Sequence, residues 1–112
     1  MSEPVWHPLG EAAAFLEGPE GVIHARQAGE RAVAIFRTGD ALHAFADQCP
    51  HRGTPFSESG RILDGQLVCM VHYWAFTLPE GRQTHLPEVC LERFPLRIAG
   101  DRLEIGLPAT DA

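Results

Sequence analysis

Short runs rich in apolar, strand-forming residues fill most of the chain, and turn-forming pairs such as Gly39-Asp40 and Asp64-Gly65 separate them. Side chains two positions apart lie on the same side of a strand, so a run in which apolar and polar residues alternate has one apolar face. Strands are predicted at residues 5–7, 22–27, 31–37, 42–46, 66–70, 94–99 and 102–107. The last two form the clearest hairpin, whose facing rows of apolar side chains are Phe94, Leu96 and Ile98 and, opposite them, Leu103, Ile105 and Leu107.

A single segment has the composition of a helix. Residues 11–17, Glu-Ala-Ala-Ala-Phe-Leu-Glu, are good helix formers, and Gly18-Pro19 would end the helix. Many short strands with regularly spaced turns predict an all-β sandwich or barrel. A chain of 112 residues has the length of one domain with its own core, so we predict a single domain over residues 1–112.

Composition and charge narrow the classes of function. The net charge is −6 and the acidic residues are scattered, which indicates either a solvated surface or a partner with a basic docking face. The chain has no basic stripe, which excludes nucleic acid as a partner. No apolar stretch approaches the roughly 20 residues of a membrane span, and the N-terminus lacks a secretory pattern, so we predict a cytoplasmic protein with no membrane partner. Three cysteines, an odd number, favour a reducing compartment over a disulfide framework.

Two short motifs carry the candidate chemistry. Cys49-Pro50-His51 and Cys69-Met70-Val71-His72 each place one thiolate and one imidazole on a short loop, with 17 residues between His51 and Cys69. Two sulfur and two nitrogen ligands suit either a tetrahedral zinc ion or a two-iron cluster. Because Cys and His alternate, each loop could reach two metals, with both cysteines on one iron and both histidines on the other, as in a Rieske [2Fe–2S] centre.

The sequence around these motifs resembles the Rieske family. The flanks Cys49-Pro50-His51-Arg52-Gly53 and His72-Tyr73-Trp74-Ala75-Phe76 are similar to the two cluster loops of Rieske ferredoxins and of Rieske domains in oxygenases, and residues 94–98 resemble the strand that closes the domain. The resemblance implies a β-sandwich base of antiparallel sheets with a cluster-binding lobe inserted at about residues 47–79. It also implies no catalytic residues and one [2Fe–2S] cluster, with the ligands Cys49, His51, Cys69 and His72.

Such a chain is expected to carry electrons and not to be an enzyme itself. The resemblance implies a monomeric one-electron carrier that receives electrons from an NAD(P)H-dependent flavin reductase and passes them to a terminal oxygenase. Tyr73, Trp74 and Phe76 look more like the ferredoxins of diiron aromatic monooxygenases than like those of ring-hydroxylating dioxygenases. Two alternatives stay open: the small Rieske-like subunit of an assimilatory nitrite reductase and, more remotely, a zinc-binding structural module.

The resemblance also bears on the redox potential. High-potential members of the family join the two loops by a disulfide, at positions that correspond here to Thr54 and Val71, and carry hydroxyl side chains where this chain has Trp74 and Phe76. Hydrogen bonds from such hydroxyls to the cluster sulfurs raise the potential. A chain without them is therefore expected at the low end of the Rieske range, roughly −150 mV.

The imidazole ligands are expected at the exposed tip of the lobe, where electrons enter and leave, while the cysteines hold the buried iron. The residues beside the ligands would then meet the partner. This predicted rim consists of Pro50, Arg52, Tyr73 and Pro87.

Several further residues have two interpretations. Gly53 suits either a backbone that approaches a cluster sulfide or an ordinary turn. Trp74 suits core packing or partner contact, and core packing is favoured. Cys90 is predicted to be a small buried side chain and not a redox thiol. The remaining histidines are predicted to be surface or strand residues and not ligands: His7, His24, His43 and His85.

Overall fold

The computed structural model describes residues 3–109, and within them the chain forms mostly short strands. All strand pairs are antiparallel, which confirms the predicted all-β fold. No helix in this range is long and apolar enough to cross a bilayer. The elements in chain order are β1 (Val5–Glu11), α1 (Ala13–Leu16), β2 (His24–Ala28), β3 (Arg31–Thr38), β4 (Ala41–Ala46), α2 (Phe56–Ser59), β5 (Gly60–Leu63), β6 (Gln66–Cys69), β7 (Trp74–Thr77), β8 (Leu96–Ala99) and β9 (Arg102–Leu107).

The strands form three sheets of three strands each. In the first sheet, β9 lies between β1 and β8, so the two ends of the described chain meet, with Val5 opposite Leu107. The second sheet is β2-β3-β4 and the third is β5-β6-β7, both in chain order. The third sheet therefore lies wholly within the part of the chain that joins the other two.

The second sheet is buried on both faces because its central strand, β3, is apolar on both sides. Val33 and Ile35 point to one side and Ala34 and Phe36 to the other, and all four are fully buried. One side packs against the first sheet and forms the base core, whose buried members are Leu9, Ala12, Phe15, Ala28, Val33, Ile35, Ala44, Phe94, Leu103, Ile105 and Leu107.

The opposite side of the second sheet packs against the third sheet and forms the lobe core. Two of its buried members are cysteines, which lie among aromatic and aliphatic side chains. The lobe core consists of Ala34, Phe36, Phe45, Cys49, Phe56, Leu67, Cys69, Phe76 and Leu91. A rigid apolar wall therefore lies directly behind the two candidate ligand loops.

The C-terminal hairpin forms as predicted, with Leu96 opposite Ile105 and Ile98 opposite Leu103. Leu103 and Ile105 are fully buried, whereas Ile98 is 51% exposed, contrary to the buried row expected of it. The reason is that β8 is an edge strand of the first sheet. Helix α1 also forms, but it is shorter than predicted, since Glu11 is paired with Arg102 in the sheet.

Two strands and one helix were absent from the prediction: β5, β7 and α2. The signal for β5 is present, because Asp64 and Gly65 both have positive φ, 51° and 74°, and such a pair joins two strands in a tight hairpin. The turn therefore implies a strand before it as well as after it. Helix α2 has four residues and begins after Pro55 without a side-chain cap of its own, so its sequence carries little helix signal.

Candidate metal centre

The two candidate ligand loops both begin at the ends of strands of neighbouring sheets. Cys49 follows β4 by three residues, and Cys69 is the last residue of β6. The second loop is closed by a turn in which the Tyr73 N–H donates to the Cys69 carbonyl at 2.7 Å. Strand ends that enter short loops hold side chains in fixed positions, as a cofactor site requires.

The structure brings the two cysteines together in the lobe core. Cys49 is 1% exposed and Cys69 is 3% exposed, both are free thiols, and the Cys69 side chain lies near enough to the Cys49 thiol to help raise its pKa. Burial is the main cause that raises the pKa of the Cys49 thiol, and the backbone N–H groups of His51 and Arg52, which point to its sulfur, oppose this shift. N–H groups aimed at a sulfur favour its thiolate form, and the thiolate is the form of cysteine that metals bind.

The two histidines of the motifs also meet each other. The ring centroids of His51 and His72 lie 4.7 Å apart in an edge-to-face arrangement, with His72 exposed and His51 half-buried. Desolvation, and then the charges of His72 and Arg52, lower the pKa of His51, which favours the neutral imidazole that metals bind.

One ring atom at this place is buried and has no partner. Within residues 3–109, Nδ1 of His51 has no hydrogen bond although it is shielded from solvent. A buried polar atom without a partner is costly, and a metal ion beside it would satisfy its lone pair. The thiol pair, the imidazole pair and this orphaned nitrogen together fit a sulfur-rich metal cluster.

The four side chains come as two pairs and do not surround one point. No group of three or more His, Cys, Asp or Glu side chains in the described range has the arrangement that a single metal ion needs. An inner pair of sulfurs and an outer pair of nitrogens suits a centre with two metals, one for each pair.

Trp74, the first residue of β7, packs against the site. Its ring stacks on the His51 ring at 4.4 Å with an angle of 20° between the planes, and it is tilted against Phe76 at 6.4 Å. Trp74 is half-buried and contacts the lobe core. The favoured interpretation of Trp74 as a packing residue is therefore correct. The side chains against which it packs include His51, a candidate ligand.

Gly53 is a turn residue. Its φ is 75°, its N–H donates to the Cys49 carbonyl at 2.6 Å, and an added Cβ would lie 3.2 Å from Nε2 of Gln48. Because this N–H is already bonded within the turn, the interpretation as an ordinary turn glycine fits the structure better than an approach to a cluster sulfide.

Tyr73 is the most exposed large apolar side chain in the described range at 71%, and it has the unusual φ of 60°. Bulky residues rarely adopt this left-handed conformation. The tight turn reverses the chain between β6 and β7 and leaves His72 and Tyr73 on the outside. Exposed Pro50 and Arg52 lie on the other loop, so all four loop residues face solvent.

Cys90 is exposed, so its prediction as a buried side chain is wrong. It forms an isolated β-bridge with Arg82, whose guanidinium donates to the Cys90 sulfur at 3.4 Å and to the Pro87 carbonyl at 3.1 Å. The bridge turns the cysteine side chain away from the core. The apolar neighbours of Cys90 in the sequence gave no sign of this orientation.

A polar residue that the sequence did not single out holds the loop before Cys90. Gln83 is buried at 4% exposure, and its side-chain oxygen accepts hydrogen bonds from the backbone N–H groups of His85 and Leu86. Glutamine at a loop has no distinctive pattern, so this role could be found only from the structure. The other histidines are distributed as predicted, with His7, His24 and His43 on strands and His85 exposed at a bend.

A fold of antiparallel sheets that presents two Cys–His loops beside an apolar core defines an iron–sulfur electron-transfer domain. The sequence profile of the Rieske [2Fe-2S] domain matches residues 5–95, and the chain belongs to this family. The recognition of the family, and with it the Rieske-type β-sandwich, is confirmed.

Two relatives are ferredoxin components of oxygenase systems. The chain is 34% identical over 103 residues to the anthranilate 1,2-dioxygenase ferredoxin subunit of Burkholderia cepacia, and the match covers 91% of this chain and 92% of the relative. It is 32% identical over 87 residues to the ferredoxin component of the alkene monooxygenase system of Xanthobacter autotrophicus, covering 78% of this chain and 71% of the relative.

Solved structures share the fold. A structure of the oxygenase and ferredoxin complex of carbazole 1,9a-dioxygenase matches with a TM-score of 0.79 and 19% identity, over 91% of this chain but only 28% of that chain. A protein of Mycobacterium tuberculosis, assigned as a small subunit of NADH-dependent nitrite reductase, matches with a TM-score of 0.81 and 21% identity, over 97% of this chain and 99% of that chain.

Proposed function

We propose that this protein is a one-electron carrier that binds one [2Fe–2S] cluster and serves an oxygenase. The observation that carries the proposal is the pairing at the site, in which two buried thiols lie together and two imidazoles lie together beside the orphaned Nδ1 of His51. The matches to two ferredoxin components, which cover 91% and 78% of this chain, support the class of function. The proposed ligands are Cys49, His51, Cys69 and His72, within a cluster-binding lobe at about residues 47–79.

When bound, the cluster would accept and release one electron. The protein would hold the cluster, exclude water from its inner side and expose its outer edge. Cys49 and Cys69 would anchor the inner metal in the lobe core, where water is excluded. His51 would be held in place by the Trp74 ring stacked on it, and exposed His72 would bring the outer edge within short range of a partner. Because this chemistry needs no group that reacts with a substrate, we propose a component of an enzyme system and not an enzyme.

Metal and sulfide analysis tests this proposal. We expect about two iron atoms and about two acid-labile sulfides per chain, as the ligand set of a Rieske cluster requires. The protein should be coloured and should have the charge-transfer absorption of an iron–sulfur centre. One zinc ion without sulfide would overturn the proposal in favour of a structural zinc module.

The partners are proposed at the level of class. An NAD(P)H-dependent flavin reductase would supply the electrons, and a terminal oxygenase would receive them. The two relatives serve a monooxygenase and a dioxygenase, so they do not favour either kind of oxygenase for this chain. Sedimentation of the isolated protein as a monomer is expected of a mobile carrier.

The second candidate function is a small subunit of a nitrite reductase. It is favoured by one observation, the match in length and fold to the small-subunit structure, at an identity that shows the fold alone. Co-purification of the chain with a large partner in a complex that survives gel filtration would favour this candidate over the carrier.

We expect a midpoint potential near the low end of the Rieske range, roughly −150 mV. No disulfide joins the loops in the described range, Val71 is 47% exposed, and the Phe76 side chain, fully buried in the lobe core, has no hydroxyl. Phe76→Tyr is expected to raise the midpoint potential by roughly 60 mV. The new hydroxyl would stabilise the reduced centre by a hydrogen bond of about 1.4 kcal/mol, and for a one-electron couple this energy corresponds to about 60 mV.

Phe94→Tyr is the matched control, because Phe94 is buried in the base core on the other side of the second sheet. Voltammetry on the three proteins measures the effect. A wild-type midpoint well above zero would contradict the low potential, and an equal shift in both variants would show that the hydroxyl added at position 76 does not act through the centre.

Docking of the partner is expected at the tip formed by the two loops. Residues 48–55 and 70–75 contain one arginine and no acidic residue, in a chain with a net charge of −6. Arg52→Glu is therefore expected to lower the rate of oxidation of the reduced protein by anionic ferricyanide about three- to tenfold at low salt, while the potential stays the same. Stopped-flow absorbance over a series of salt concentrations measures the rate.

Asp101→Arg, on the exposed turn of the terminal hairpin, is the control for position, because it changes the net charge by the same amount, two, in the opposite direction. Glu104 on the same hairpin is less suitable, since it is bonded to Arg97 at 2.7 Å. A larger effect of Asp101→Arg than of Arg52→Glu would place electron exit on the base of the domain instead of at the tip.

A further inference from the structure

Asp47 makes a two-pronged contact that closes the first ligand loop. One carboxylate oxygen accepts the backbone N–H of Ser57 at 2.9 Å, and the other accepts the Ser57 hydroxyl at 2.5 Å. Both residues are half-buried. Asp47 comes directly after β4, and Ser57 is the second residue of α2, so the contact closes a loop of residues 48–56 that contains Cys49 and His51.

Both ends of this contact are fixed to the sheets. The backbone N–H of Asp47 donates to the Ala32 carbonyl at 3.0 Å, which attaches it to the second sheet. On the other side, the Ser59 carbonyl accepts the N–H of Met70 at 2.8 Å, and Met70 directly follows the second cysteine. The connection therefore runs from the second sheet through Asp47, Ser57 and the short helix α2 to the start of the second ligand loop.

The carboxylate also serves the helix. Helix α2 has Pro55 at its N-cap position and no side-chain cap of its own, so the N–H groups of its first turn need an acceptor from elsewhere. Asp47 supplies one across the loop. Hydrogen bonds to a charged acceptor are roughly twice as strong as neutral ones, and this pair is partly shielded from water.

We propose that Asp47 is a positioning residue that joins the two ligand loops through Ser57 without a covalent bond. It would take the place of the inter-loop disulfide, which Thr54 and Val71 cannot form. The proposal rests on the proposed function only in that the loops so joined are taken to hold the cluster. The joining itself is a property of the chain.

Trypsin tests the closure of the loop whether or not a cluster is bound. Arg52 is exposed in the middle of the loop, and native-state cleavage there follows the population of the opened loop. Ser57→Ala should increase the rate of cleavage at Arg52 roughly tenfold, as expected for the loss of one hydrogen bond to a carboxylate. Cleavage at Arg102, on β9, should not change and serves as the internal reference. The protein is digested as purified, and mass spectrometry measures how fast the peptides that end at Arg52 and at Arg102 appear.

Ser59→Ala is the matched control on the same helix. In the described part of the chain the Ser59 hydroxyl makes no hydrogen bond, and the substitution keeps the carbonyl that binds Met70. Asp47→Ala should accelerate cleavage more than Ser57→Ala, and Asp47→Asn, which keeps one acceptor, should fall between Asp47→Ala and wild type. Because Ser57→Ala acts through Asp47, the double variant should be cleaved no faster than Asp47→Ala alone.

A second readout concerns the metal. With excess chelator, Ser57→Ala should lose iron about tenfold faster than Ser59→Ala, and its electron paramagnetic resonance spectrum should be broadened. Equal cleavage at Arg52 in Ser57→Ala and Ser59→Ala would overturn the proposal. A wild-type protein without iron and sulfide, but with the expected cleavage pattern, would overturn the proposed function and leave the role of Asp47 standing.

Discussion

Replacing Cys69 by alanine is expected to remove essentially all iron and sulfide from the protein, whereas Cys90→Ala should retain both in full. Cys69 is buried in contact with Cys49, and a cluster that loses one thiolate in an apolar pocket has no nearby group to replace it. Cys90 is exposed, and its sulfur accepts a hydrogen bond from Arg82 instead of facing Cys49 and Cys69 in the lobe core. Iron and sulfide assays together with visible absorption measure the difference.

Circular dichroism of both variants shows whether the strands still form, which separates loss of a ligand from loss of the fold. Full iron content in Cys69→Ala would exclude Cys69 as a ligand. Equal losses in the two variants would show that the metal is bound through a different thiol arrangement from the one proposed.

The second large effect is expected on stability, from Gly81→Ala. Gly81 has a φ of 74°, and an added Cβ would lie 2.7 Å from Cε1 of Phe45 and 3.2 Å from Cβ of Leu91. Left-handed backbone costs an alanine about 1–2 kcal/mol, and crowding in a packed core costs about 1–3 kcal/mol more. We therefore expect the free energy of unfolding to fall by about 2–5 kcal/mol and the melting temperature to fall by roughly 10 °C or more.

Gly100→Ala separates the two costs. Gly100 has a similar φ of 64°, but nothing lies within 4 Å of an added Cβ. This variant should lose only the backbone part, about 1–2 kcal/mol. Urea unfolding followed by circular dichroism gives both values, and equal losses in the two variants would mean that Phe45 and Leu91 move aside at little cost.

The sequence was sufficient for those parts of the fold that depend on neighbouring residues. Alternation in β9 and the turn-forming pairs between strands are local patterns, and they predicted the terminal hairpin and most of the strands correctly. The two Cys–His motifs are also local, because each places its ligands on one short loop. What the motifs could not show is that His51 and His72 pack ring against ring, since this depends on how two sheets come together.

The parts that were missed depend on contacts between distant residues. The exposure of Cys90 follows from its bridge to Arg82, and the exposure of Ile98 follows from the edge position of β8. The contact of Asp47 with Ser57 joins residues ten positions apart across a loop, and neither residue type is unusual at its place. Such pairs have no periodicity, so a single sequence offers no pattern from which to predict them.

The difference in exposure among the three cysteines has a practical consequence. Cys49 and Cys69 lie inside the lobe core and Cys90 lies at the surface. A bulky maleimide dye should therefore label the folded protein once and the unfolded chain three times. The number of dye molecules per chain then reports the fraction of unfolded protein directly, and no spectroscopic signal from the metal is needed. The single adduct at Cys90 also gives a defined attachment point for a fluorophore that reports partner binding, with both candidate ligand sulfurs left unmodified.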